Sequence, residues 1–130
     1  MNNKTEVIIR DVDIPKPGRN QVLIRVIVSG TNPKDWKFPK MISSNGEYTN
    51  QGDDIAGYIE AVGEGVVGFQ PGDKVAAYHE IGKPHGSWAE YAIAWDYTTF
   101  HISEKTTFTG MLVTFSFSVF ISLLGRWFGY

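Results

Sequence analysis

A chain of 130 residues carrying a net charge of −2 has room for one domain or part of a larger fold. Its charges are mixed in sign, which gives no basic footprint for nucleic acid. The absence of cysteine excludes disulfides, thiolate catalysis and a cysteine-ligated structural zinc. The polar start of the chain has no apolar run long enough for a signal peptide, and a cytoplasmic location is expected.

Residues 6–12 form a first expected strand, followed by a turn at Pro15-Lys16-Pro17-Gly18. Gln21–Ser29 carries the strongest strand pattern. Val22, Ile24, Val26 and Val28 fall on one face, and Ile27 adds to the other. In the next segment Asn32 suits an N-cap, Pro33 a first helical position and Asp35 the first turn. A short helical turn over 33–38, stopped by Pro39, is expected, and 41–51 is a polar loop. Residues 55–62 form a strand with Gly57 inside it, where a glycine marks a bulge or a close backbone approach. Glu64-Gly65 marks a turn, and Pro71-Gly72 the centre of a type II turn. Lys74–Tyr78 and 87–94 are strands, with Trp88, Tyr91 and Ile93 as packing candidates. A short extended stretch follows at 96–100, and the barrel-like pattern stops near Phe108.

The remaining tail contrasts with this. Residues 106–124 are 19 uncharged positions, close to the ~20 needed to span a bilayer. Serines and threonine at 114, 116, 118 and 122 alternate with apolar residues, however, which is a strand signal and weakens a spanning helix. Two segments are therefore expected: a β domain over 1–108 and an apolar, irregular or helical tail over 109–130, which has the character of a truncated or altered end.

Several motifs resemble those of medium-chain dehydrogenases/reductases in their GroES-like N-terminal domain. They are the spaced Gly52, Gly57, Gly63 and Val66, then Phe69-x-x-Gly72-Asp73-x-Val75, then Ala89-Glu90-Tyr91. Asn32-Pro33-Lys34-Asp35-Trp36-Lys37 is similar to the corresponding segment of zinc-independent members, the quinone-oxidoreductase-like and fungal trans-enoyl-reductase-like enzymes. The resemblance covers about residues 6–108. It implies a mainly β fold, a partly open GroES-like β-barrel with short helical turns. It also implies a Rossmann domain, which this sequence does not contain.

The resemblance further implies NADPH as cofactor and hydride transfer to a small molecule with a conjugated carbonyl or a quinone. It makes Asn32 the catalytic candidate, Asn32, Asp35, Trp36 and Lys37 the cofactor contacts, and Gly86 and Ser87 the substrate contacts. A homo-oligomer is compatible with it. Orphan N–H groups at the start of the 33–38 turn would suit a phosphate or an oxyanion. In zinc relatives a cysteine stands at the place of Asn32 and a histidine at that of Asp53. With an amide and a carboxylate there, no catalytic metal is expected. His79, His85 and His101 have no ligand spacing, and His79 and His85 are expected on the solvated surface. Gly63-Glu64-Gly65-Val66-Val67-Gly68 has the letters of a dinucleotide fingerprint but opens no helix. No Ser-His-Asp or paired-carboxylate arrangement stands out. The expected product is the front portion of a zinc-free oxidoreductase, inactive by itself. The alternative is a non-enzymatic β-barrel module, tethered to a membrane by the tail.

Overall fold

The computed structural model describes residues 7–35, 37 and 51–110. Glu6, Trp36, Phe38, the loop residues 41–50 and the tail residues 111–130 lie outside the described residues. Among the described residues five strands form one antiparallel sheet: β1 (Gln21–Ser29), β2 (Asp54–Val62), β3 (Lys74–Tyr78), β4 (Tyr91–Trp95) and β5 (Thr99–His101). Their order across the sheet is β4-β1-β2-β3-β5. The two outer strands are joined by a single 3₁₀ turn, Asp96–Thr98. Strands at opposite edges can be that close in sequence only if the sheet curls round to bring its edges together. The Thr98 hydroxyl helps hold the seam: Oγ1 lies 2.8 Å from the Tyr78 carbonyl and 3.1 Å from that of Trp95.

The concave side of the curl holds the main core of Val22, Ile24, Ile55, Ile59, Val75, Ala77, Ala92 and Ala94. Alanines on β3 and β4 leave room for the branched residues of β1 and β2. A second, smaller cluster of Ala56, Ala76 and Ile102 takes in Val28 and Phe108. Val28 thus departs from the face expected of it. The pairing slips between Val26 and Val28, so Val26 pairs with Gly57 and Val28 with Ala56, successive positions of β2 that belong to opposite faces of the sheet. Ile27, at the slip, is exposed.

At Gly57 the two strands lie backbone to backbone. A Cβ there would overlap the backbone carbonyl oxygen of Arg25, so the expected close approach is present. The 70–73 turn has its expected form: Gly72 has φ +94° and the Asp73 N–H donates to the Gln70 carbonyl at 3.1 Å.

Two strand expectations need correction. Residues 7–12 form no strand and are exposed, Ile9 at 98%. No strand of the described sheet pairs with them, and an apolar alternation without a ladder partner does not make a strand. The fourth strand begins at Tyr91, not at residue 87. The Ser87 and Trp88 N–H groups are already committed to the Gly52 and Gln51 carbonyls, outside the sheet. Trp88 is 44% exposed, whereas Ile93 is buried as expected. Among the described residues no helix is long and apolar enough to cross a membrane.

Since the obstacle at Gly57 is backbone, Gly57→Ala should destabilise the chain by about 2–4 kcal/mol. Urea unfolding of the two proteins measures this directly, and an unchanged midpoint would show that the strands can move apart at no cost.

Candidate active site

Antiparallel pairing brings the end of β1, the start of β2 and the end of β3 to one edge of the sheet: Ser29 pairs with Ile55, and Asp54 with Tyr78. Residues 33–35 and 37, directly after β1, have helical backbone. The turn is capped differently from the expected pattern. The Asp35 Oδ2 accepts the Asn32 backbone N–H at 2.7 Å, the return half of a capping box. The Asn32 carboxamide crosses to β2, where Nδ2 donates to Asp54 Oδ2 at 2.6 Å. Asp35 is buried, and while its carboxylate takes the Asn32 N–H its own N–H donates to the Asn32 carbonyl at 3.0 Å.

Lys34, on the same turn, reaches the opposite way. Its Nζ is 2.9 Å from Asp35 Oδ1 and forms an ion pair with Asp53 Oδ2. Asp53 is only 3% exposed, and its Oδ2 is met by the Lys34 ammonium. Its other oxygen, Oδ1, lies 3.2 Å from His79 Nδ1. The His79 Nε2 is 2.9 Å from the Pro84 carbonyl oxygen, which can only accept, so Nε2 donates. The expectation of a solvated His79 is therefore wrong: it is 3% exposed. Val75 and Ala77 face the core, and the period of two carries the same side of the chain on to residue 79. His85 is exposed, as expected.

The charges set one another. Burial raises the Asp53 pKa, but the His79 contact and the Lys34 ammonium outweigh it and hold the carboxyl below its usual value. Burial lowers that of Lys34, and Asp53 and Asp35 more than offset it, so the ammonium is held above its usual value. The Tyr78 phenol is pushed far up, by burial first and then by the Asp53 and Asp54 charges, and stays neutral.

The fold brings Asn32 and Asp35 together with Asp53 and Asp54. Lys37 is exposed on the same turn, and Trp36 lies outside the described residues. Gly86 and Ser87 are buried behind this cluster. The Ser87 Oγ is 2.6 Å from Ser29 Oγ, and a Cβ on Gly86 would meet the Gly52 carbonyl at 2.6 Å. Lys34 and His79 are the members that sequence reasoning passed over. Chemically, the cluster is a fixed ammonium on a buried carboxylate, edged by an amide and two more carboxylates. Among the described residues no three His, Asp or Glu side chains converge as metal ligands.

Comparison with known proteins places this geometry in context. Residues 18–104 match the alcohol dehydrogenase GroES-like domain. Over 100 residues the chain is 51% identical to a trans-enoyl reductase of Gibberella fujikuroi, covering 77% of this chain and 29% of that protein. It is 36% identical over 105 residues to the quinone oxidoreductase of Homo sapiens, covering 75% and 30%. A mycobacterial protein solved in complex with NADPH superposes with a TM-score of 0.65 at 26% identity, covering 75% of this chain and 30% of that one. The chain thus spans about three-tenths of the length of the curated relatives it matches.

The ion pair has a defined pH window. Asp53 is lowered from 3.8, so its contribution is present above that pH and is lost as pH falls through the folded value. Lys34 is raised from 10.5, so its contribution is present below that pH and is lost as pH rises through the folded value. At neutral pH, Lys34→Met should cost about 1–3 kcal/mol, less than a fully buried pair because Lys34 is 20% exposed. Adding Asp53→Asn should recover part of that loss. A urea-unfolding cycle of the two changes should give a coupling that persists through neutral pH and shrinks below pH 3.8.

Proposed function

The chain belongs to the alcohol dehydrogenase GroES-like domain family, and from that premise we propose that it is the catalytic-domain portion of a zinc-free, NADPH-dependent oxidoreductase acting on conjugated carbonyls or quinones. The observation that carries this reading is the Lys34 ammonium seated on Asp53. A cation already occupies Oδ2 of that carboxylate, and Asn32 gives an amide N–H to Asp54. Lys34 holds the Asp53 carboxylate, and neither a thiolate stands at 32 nor an imidazole at 53, so the residues do not fit a catalytic zinc. The 51% identity to a trans-enoyl reductase supports the choice of reaction class.

NADPH, when bound, supplies the hydride. The Asp35 carboxylate at the start of the turn disfavours a phosphate there, which suits the uncharged part of that cofactor. Asn32, Asp35, Trp36 and Lys37 are the proposed contacts to its nicotinamide and ribose. The Gly86-Ser87 seam backs the substrate side. In this division of labour the domain positions the acceptor and polarises its carbonyl, and a nucleotide-binding unit beyond these residues holds the phosphates.

The test is a chimera. Residues 18–104 replace the matching part of the Gibberella fujikuroi trans-enoyl reductase, and NADPH oxidation is followed with a conjugated thioester. Retained thioester-dependent oxidation is the expected result, and a folded chimera that binds NADPH but transfers no hydride refutes the reading. By itself, the 130-residue chain should bind NADPH more weakly than micromolar, measured by cofactor fluorescence.

A further inference from the structure

Lys34 has three N–H donors, and two acceptor groups account for two of them: Asp35 Oδ1 and Asp53 Oδ2. The third has no acceptor among the described residues, and the side chain retains 20% of its exposure. Asp53 cannot swing away, because its other oxygen is against His79, and His79 is pinned by the Pro84 carbonyl. The ammonium is therefore fixed at the strand edge with one donor unspent. Asn32, the residue that the motif suggests as carbonyl partner, gives one of its two amide N–H donors to Asp54.

The surroundings also select the ligand. Asp35, Asp53 and Asp54 lie on the protein side of the ammonium, directly or through Asn32, and outnumber it. An incoming carboxylate or phosphate meets more repulsion than attraction. A neutral carbonyl oxygen meets a single strong donor, whose value grows as negative charge develops on that oxygen. We propose that Lys34 is the catalytic residue that hydrogen-bonds the carbonyl oxygen of a neutral conjugated acceptor, with Asp53 and Asp35 as its positioning residues and His79 as the positioning residue of Asp53. This rests on the oxidoreductase reading above and adds to it the polarising group and the neutrality of the substrate. The raised pKa of Lys34 keeps the donor protonated through the neutral range, consistent with polarisation of the carbonyl and not with release of the proton.

The test uses the 130-residue chain with ¹⁵N-labelled lysine. The Lys34 ammonium resonance, assigned by its loss in Lys34→Met, is followed while S-crotonyl-N-acetylcysteamine is added, with sodium crotonate as the anionic control. The thioester should shift the Lys34 resonance saturably, and crotonate should not. Lys34→Met should weaken thioester binding by about tenfold or more. Lys34→Met/Asp53→Asn, which leaves no bare buried carboxylate, should show the same weakening if the single variant does not fold. His79→Gln should broaden or move the Lys34 signal while leaving most backbone amides in place. A thioester that leaves the Lys34 resonance unmoved at its solubility limit, or that binds both Lys34 variants as tightly as the parent, overturns the assignment. The chimera separates this from the wider reading. Equal turnover by the chimera with and without the Lys34→Met change refutes the role of Lys34 alone, whereas an inactive chimera with native Lys34 refutes the reductase reading.

Discussion

Burial of the Asp53 carboxylate is the constraint that organises the strand edge. A carboxylate at 3% exposure is costly unless opposite charge and hydrogen bonds meet it. Here one oxygen faces His79 and the other the Lys34 ammonium. To meet it, the chain after β1 must turn back over the sheet, which fixes the short helical turn. The residue after β3 must point inward, which ties the 80–85 loop through the Pro84 carbonyl. Three separate pieces of chain are held by one side chain. Its ion pair is also the part of the site that no local rule specifies.

The sheet makes this possible by keeping β1 and β2 unusually close. Backbone contact at Gly57 and the slip beside it bend the pair. That bend switches Val28 from the main core to the smaller cluster, and delivers Ser29 and the 30–35 segment to the start of β2. Gly30 continues the approach: its N–H donates to the Asp54 carbonyl at 3.1 Å, and a Cβ there would lie 2.8 Å from the Asp54 Cβ. The curvature that closes the barrel and the placement of the polar cluster thus come from the same tight strand pair.

Asn32 illustrates how a correct motif can carry an incorrect role for its side chain. Its position before Pro33 predicts a cap, and a turn does begin there. The capping atom, however, belongs to Asp35. The Asn32 side chain gives an N–H to Asp54 across the strand edge, a partner that the local motif does not record. His79 shows the converse. Its polarity suggested solvent, yet the inward alternation of Val75 and Ala77 already pointed it toward the interior, and that signal outweighs residue type when a buried partner exists.

The sequence by itself determined the elements whose causes are local. β1 and β3 follow from their apolar patterns, with the bounds expected of them. The turns at 64–65 and 70–73 follow from glycine and proline chemistry, and the glycine inside β2 from the need for a close approach. Tertiary structure alone decided which strands find partners, and so why 7–12 is not a strand and why β4 starts at Tyr91. It also decided that Lys34, Asp53 and His79 meet. These residues are separated by 19 and 26 positions, and long-range electrostatic pairing leaves no periodic trace in the chain. A pattern of side chains records the face on which each residue lies; it does not record which charges the closing of the sheet will bring together.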